Sequence, residues 1–475
     1  MSSTLRNGET RDLNLTASDY ITLVAVSGTY TATVVRGNSS GTVLGTNVTG
    51  GTYGPYTGGA VIRVVTSASS EVDFDIGASP VIVSDTFVTA STNPVTGRIS
   101  LSAGGSFVYG RNLQYPMRYW QRAVARVKAG KANATIACIG DSITAGSMAD
   151  GVNPWTANKP LSYPSALASV LSGSYGISTC TGSVISDNST TPHAGTVPQY
   201  DPRVTFGANW GASGAASTAG GQMIYSVSSA LGTLAAETFT FTPIASFDTV
   251  EVFWFRNTTT STFTIDCGGA VLATCAGGSP SVQKTVVTKT AGIGPINIIR
   301  TVAAGSVAAI VGINTYLSTT KTANVLNMGA SAATTTVWNS VAGVYAPLNV
   351  LPQYAPDLSV ICLGINDAIL NASTATIIAN LSAIITVAQT TGDVVLVVPN
   401  AVDTSITSTI NQANMQSAIY QVSATYGINV VDINQRWSGY TTSNTLGYMS
   451  SDKTHPVQIG YQDIANIVAA CVCNT

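Results

Sequence analysis

Ala134-Thr135-Ile136-Ala137-Cys138-Ile139-Gly140-Asp141-Ser142 is the stretch on which the fold turns. Six residues without a charge, mostly apolar, end abruptly in Gly-Asp-Ser. A short continuous apolar run suits a strand buried on both faces of a parallel sheet. On its N-terminal side, residues 116–128 (PMRYWQRAVARVK) combine a helix-start proline with apolar residues at helical spacing, and Gly130 follows. On its C-terminal side, residues 163–171 (YPSALASVL) predict the next helix. The same alternation resumes after residue 320. Strands are expected at 325–329, 358–363, 394–398 and 428–433, with helices at 374–390, 410–426 and 459–471. Alternating strands and helices imply an α/β domain whose parallel sheet is covered on both faces.

Two regions break this texture. Residues 1–90 hold β-prone runs such as 20–26, 30–35 and 60–65 between Gly- and Asn-rich turns, as in a small sandwich or barrel. Residues 91–112 read as a linker. Residues 173–319 contain alternating, β-branched segments (238–241, 249–255, 281–288, 296–302), predicting an inserted β-sandwich. The α/β domain is therefore expected in two pieces, 113–172 and 320–475.

Composition excludes several classes. The chain has 475 residues, a net charge of −2 and 9% charged residues, against about 25% in ordinary soluble proteins. That balance leaves no broad basic field for nucleic acid. Apolar residues reach 45%, too many for a disordered chain. No apolar run is long enough to span a membrane, and the start, MSSTLRNGETRDLN, lacks the apolar core of a secretory signal. The seven cysteines form no CxxC pair; Cys138 and Cys362 lie in apolar runs as buried thiols, while Cys267 and Cys275 could pair across a hairpin.

Open parallel sheets build sites at the carboxyl ends of their strands. Three strands here end in small or polar residues: Gly140-Asp141-Ser142, Asn327-Met328-Gly329 and Gly364-Ile365-Asn366-Asp367. A fourth element, Asp452-Lys453-Thr454-His455, precedes the final helix. Ser142 can present a hydroxyl at the sheet edge. His455, one of two histidines with His193, can take its proton. Asp452 can fix the imidazole tautomer. The Ser142 and Gly329 N–H groups and the Asn366 amide are candidate oxyanion donors.

These four blocks, in this order, resemble those of the SGNH (GDSL-type) hydrolase family. The resemblance covers 113–172 and 320–475 and implies a flavodoxin-like hydrolase domain that works without a cofactor or metal. It assigns Ser142 as nucleophile, His455 and Asp452 as the rest of a triad, and Ser142, Gly329 and Asn366 as the oxyanion hole. The two β domains and the Thr/Gly/Ser-rich surface also resemble bacteriophage tail fibre and tailspike proteins. The expected activity is removal of O-acetyl groups from a bacterial capsule or O-antigen polysaccharide. The expected setting is a virion tail or the extracellular space, with attachment through the N-terminal domain and a homotrimer. Trp155, Trp210 and Trp338 are candidates for stacking on sugar rings.

Plainer readings stand beside these. Asp141-Ser142 could cap a helix, Asn366-Asp367 could cap a turn, and Asp367 reads as a structural hydrogen-bond partner. His193 reads as a loop residue at the surface or substrate rim. Gly37-Asn38-Ser39-Ser40-Gly41 matches G-x-S-x-G but has no helix after it and reads as a turn. Phe253-Trp254-Phe255 reads as core with one exposed aromatic. A lipid or small-ester esterase of the same fold, or a non-catalytic glycan-binding adhesin, are the rival functions.

Overall fold

The structure is a computed structural model. It describes residues 4–6, 10–15, 20–27, 30–36, 43–48, 50–53, 60–66, 71–77, 117–152, 158–181, 184–185, 201–211, 224–226, 231–256, 258, 262–302, 308–341 and 346–473. Trp155, His193 and the 37–41 motif lie outside the described residues. The chain divides into two compact units, Met1–Pro116 and Met117–Asn474.

In the first unit, eight strands form two four-stranded antiparallel sheets. Tyr30, Ala32 and Val64 are buried there.

The second unit is built on a six-stranded sheet whose neighbours all run parallel. Its strands are β1 (Ala134–Gly140), β2 (Thr179–Cys180), β3 (Ala323–Gly329), β4 (Leu358–Cys362), β5 (Asp393–Val398) and β6 (Asn429–Asp432). Their order is β2-β3-β1-β4-β5-β6. The order reverses at β1, so the ends of β1, β3 and β4 open a crevice where Ser142 follows β1. Helices flank the sheet: α1 (Arg118–Lys128), α2 (Ser142–Ala145), α3 (Tyr163–Tyr175), α4 (Ile365–Ile369), α5 (Thr374–Ala388), α6 (Thr409–Tyr426) and α7 (Gln458–Cys473). Ser373 and Ser408 cap α5 and α6 by accepting from Thr376 N and Asn411 N, which satisfies donors left open at a helix start. The expected strand at 428–433 stops at Asp432, because the Asp432 carboxylate caps a short helix, Ile433–Arg436.

Between β2 and β3 the chain forms two antiparallel sheets. One centres on Phe247–Arg256, Ser281–Gly292 and Ala309–Tyr316; the other on Thr238–Phe241, Phe263–Cys267 and Ile296–Arg300. Phe239, Phe241, Phe263, Val250, Val252 and Trp254 share the core between them. Phe253 and Phe255 point the opposite way and join the apolar cluster of the parallel sheet. The Phe253 ring lies 4.6 Å from that of Tyr354. All three aromatics of 253–255 are thus buried, and the expected exposed one is absent because both faces of this strand are covered. Cys267 and Cys275 are free thiols. They face Ala270 and Phe263 rather than each other, so the register of the hairpin keeps them unpaired.

Candidate active site

Two glycines let the nucleophile turn nest between strands. A Cβ on Gly140 would come within 1.9 Å of Thr144 Oγ1 and 2.6 Å of Cys362 O. A Cβ on Gly329 would come within 2.1 Å of Ala145 N. Ser142 opens α2, and Asp141 caps it through Oδ1, which accepts from Ile143 N at 2.9 Å. Ser142 is the first residue of this helix, so its N–H has no intrahelical acceptor.

His455 arrives from 313 residues away. The start of α7 is pinned beside the nucleophile segment: Gln458 N donates to Ala149 O at 2.9 Å, and Tyr461 Oη to Ser147 O at 2.8 Å. His455 Nε2 lies 2.7 Å from Ser142 Oγ, and His455 Nδ1 lies 2.6 Å from Asp452 Oδ2. An ionised carboxylate only accepts, so Nδ1–H donates to Asp452 and Nε2 is left to accept from Ser142. The other oxygen, Asp452 Oδ1, accepts from Ser450 Oγ (2.7 Å), Thr454 N (2.9 Å) and His455 N (2.9 Å). Burial acts to raise the Asp452 carboxyl, but the His455 ring and backbone and the Ser450 hydroxyl outweigh it and hold it well below its ordinary value. Asp452 is therefore ionised at neutral pH.

A second carboxyl lies next to the nucleophile in a different state. Asp141 is fully buried, and its Oδ2 has no partner among the described residues. Burial pushes it up to about 7, with the Ile143 N–H opposing and the Asp367 charge adding to the rise. Asp367 accepts from Thr335 N and Thr335 Oγ1 at 2.9 and 2.6 Å. It holds the turn after Ala333 against α4 and makes no contact with the triad among those hydrogen bonds.

The anion pocket departs from expectation at one residue. Asn366 Nδ2 donates to Ala333 O at 3.0 Å, which leaves its second N–H to serve. The Gly329 N–H, however, donates to Asn327 Oδ1 at 3.0 Å, and Ala330 N to Gly140 O at 3.0 Å. Gly329 is therefore a packing glycine rather than an available donor. Three residues on, exposed Ala332 adopts φ 58°, a conformation that a non-glycine residue rarely takes. No hydrogen bond of its N–H occurs among the described residues.

Two of the proposed sugar-stacking tryptophans are corrected. Trp338 is fully buried, and its Nε1 donates to Gly140 O at 2.9 Å, bracing the turn before Ser142 from beneath. Trp210 is buried against Phe239 in the core between the antiparallel sheets. Neither offers a face to a ligand. Sequence reasoning gave Asn327 no role beyond its place in a strand end, although its side chain occupies the Gly329 N–H, and it passed over Ser450, which supports Asp452. The signal for both was position alone, since each lies within three residues of a recognised block.

Among the described residues, no cluster of three metal-binding side chains occurs, and no helix is long and apolar enough to cross a membrane. Residues 301–462 match the GDSL-like Lipase/Acylhydrolase family. No curated protein matches the chain. Among solved structures, a peptidoglycan O-acetylesterase superposes with a TM-score of 0.55 at 18% identity, over 74% of this chain and 94% of its own. A family two carbohydrate esterase from Clostridium thermocellum, solved with cellohexaose, gives a TM-score of 0.31 at 12% identity, over 98% and 91%. Residues 301–462 thus resemble a GDSL-like lipase/acylhydrolase domain, and the parallel sheet with its flanking helices has the SGNH hydrolase fold.

Proposed function

We propose that this protein is a serine esterase that removes O-acetyl groups from a bacterial surface polysaccharide. The observation that carries the reading is the unbroken line from Asp452 through His455 to Ser142. Ser142 Oγ attacks the ester carbonyl while its proton passes to His455 Nε2. The carbonyl oxygen becomes an oxyanion, met by the Ser142 N–H and the Asn366 amide. We assign the third donor to Ala332 N–H in place of Gly329. His455 then gives the proton to the departing sugar oxygen, the C–O bond breaks, and an acetyl-serine remains. Water, deprotonated by His455, attacks that acetyl group, and acetate leaves as Ser142 recovers its proton. Asp452, ionised throughout, holds the ring and stabilises its charged form.

The acetyl-glycan assignment draws on the superposed peptidoglycan O-acetylesterase and on the large β-structured part of the chain. Attachment to a virion tail and assembly as a trimer belong to the same proposal. Sedimentation of the full chain should give three times the monomer mass; a monomer would remove the trimer from it.

Ser142→Ala and His455→Ala should each lose nearly all hydrolysis of p-nitrophenyl acetate with folding intact. Proton NMR of O-acetylated polysaccharides treated with the enzyme should show free acetate. Full activity in Ser142→Ala would refute the serine mechanism, and a marked preference for long acyl chains would redirect the substrate to lipid esters.

A further inference from the structure

Asp452 and His455 belong to one short loop. The Asp452 carboxylate is bound by that loop itself, through Ser450, Thr454 and His455. Such a self-contained pair keeps its internal geometry wherever the loop sits. Its distance from Ser142 must be set from outside.

On its C-terminal side the loop is held by the start of α7, where Gln458 N donates to Ala149 O; on its other side the support comes from the segment after β5. Asn400 is completely buried. Its Nδ2 donates to Thr454 O at 3.1 Å, the carbonyl just before His455, and to Ala401 O at 3.2 Å. Asp403 N donates to Lys453 O at 3.1 Å. The segment is itself clamped to α6: Gln412 Oε1 accepts from Val402 N at 3.0 Å, and Gln412 Nε2 donates to Val402 O and Thr407 O at 3.1 and 3.3 Å. A rigid path therefore runs from α6 through Asn400 to the histidine. A further observation sets Asn400 apart. Its Oδ1 is buried with no partner among the described residues. A buried amide satisfied on one side alone is a poor device for stability. Its remaining service is the donor it aims at the catalytic loop.

We infer that Asn400 is a positioning residue that fixes His455 at hydrogen-bond distance from Ser142. The inference rests on the triad reading above. Removing the donor lets the loop drift while Asp452 and His455 stay paired. A displacement near 1 Å can cost about 10²-fold in rate, and substrate contacts are untouched.

The test compares wild type, Asn400→Ala and Asn400→Asp on p-nitrophenyl acetate, with Ser142→Ala as control. Asn400→Ala should lose about 10–100-fold in kcat with KM within about twofold, while a single cooperative melting transition, lowered by the lost hydrogen bonds, shows that the variant is still folded at the assay temperature. Asn400→Asp keeps the volume but turns the donor into an acceptor facing two carbonyls. It should lose at least as much. Labelling of Ser142 by a phosphonate should slow in the same ratio as kcat. If both variants turn over at the wild-type rate, or if Asn400→Asp is normal while Asn400→Ala is impaired, the positioning role is wrong and the triad stands. If Ser142→Ala is as active as wild type, the triad reading falls and this inference with it.

Discussion

Asp141 and Asp452 are two carboxyls near one hydroxyl, and their surroundings push them in opposite directions. The consequence for stability follows from which state binds the proton. Folded Asp141 keeps its proton up to about 7, whereas the unfolded chain sheds it near 3.8. Stability contributed by the protonated form is complete below pH 3.8 and declines as pH rises towards 7. Asp141→Asn keeps the oxygen that caps Ile143 and removes the titration. It should flatten the decline in melting temperature between pH 4 and 7. Asp452 has the opposite sign: its contribution is present above its ordinary value and lost on acidification. Asp452→Asn should therefore remove part of the acid sensitivity in urea titrations below pH 4. At this scale the sequence was most informative about chemistry that needs a residue type, such as Ser142, His455 and Asp452. It was least informative where a side chain two positions away decides a role. Nothing in Asn327-Met328-Gly329 announces that the asparagine takes the glycine N–H.

The nucleophile turn shows why strands that end in glycine mattered more than the letters after them. Its backbone fits because β1 and β3 close on it without a Cβ. Gly329→Ala would press a methyl group into Ala145 N. Overpacking of this kind costs roughly 1–3 kcal/mol and shifts Ser142 from His455. Denaturation by urea should show the loss of stability, and kcat should fall about 10²-fold. Five strands of the parallel sheet were legible because a strand buried on both faces has no polar alternation to confuse it; β2, only Thr179–Cys180, was too short to read and fell within the stretch assigned to the inserted sandwich. Loop conformation was not legible: Ala332 carries no signal of its positive φ. The tryptophans misled for a related reason. A large aromatic reads alike in sequence whether it stacks on a ligand or, like Trp338, holds a main-chain carbonyl from the interior.

Within Met117–Asn474, the antiparallel sheets and the parallel sheet are joined by one apolar cluster that contains Phe253, Phe255, Ala309 and Val311 from one and Leu326, Ile361 and Leu396 from the other. A module tethered by loops alone would unfold by itself. This cluster instead predicts one cooperative calorimetric transition for the whole unit. Phe253→Ala should cost about 3–5 kcal/mol and lower that single transition, rather than melting the antiparallel sheets first. The interruption was visible as a change in texture, but the boundary expected at residue 173 falls too early, because α3 runs to Tyr175 and Thr179–Cys180 still belongs to the parallel sheet. The packing of the insert against the hydrolase was not visible, because alternate faces of 253–255 are equally apolar and nothing local says what covers each.

Cys138 and Cys362 lie on neighbouring central strands, both free and both buried. A thiol reagent cannot reach either until the middle of the sheet parts. Their alkylation rate is thus a built-in clock for the deepest opening of the fold, one that runs without any added label. Because burial raises both thiols far above their ordinary range, the clock stays silent for as long as the interior remains dry.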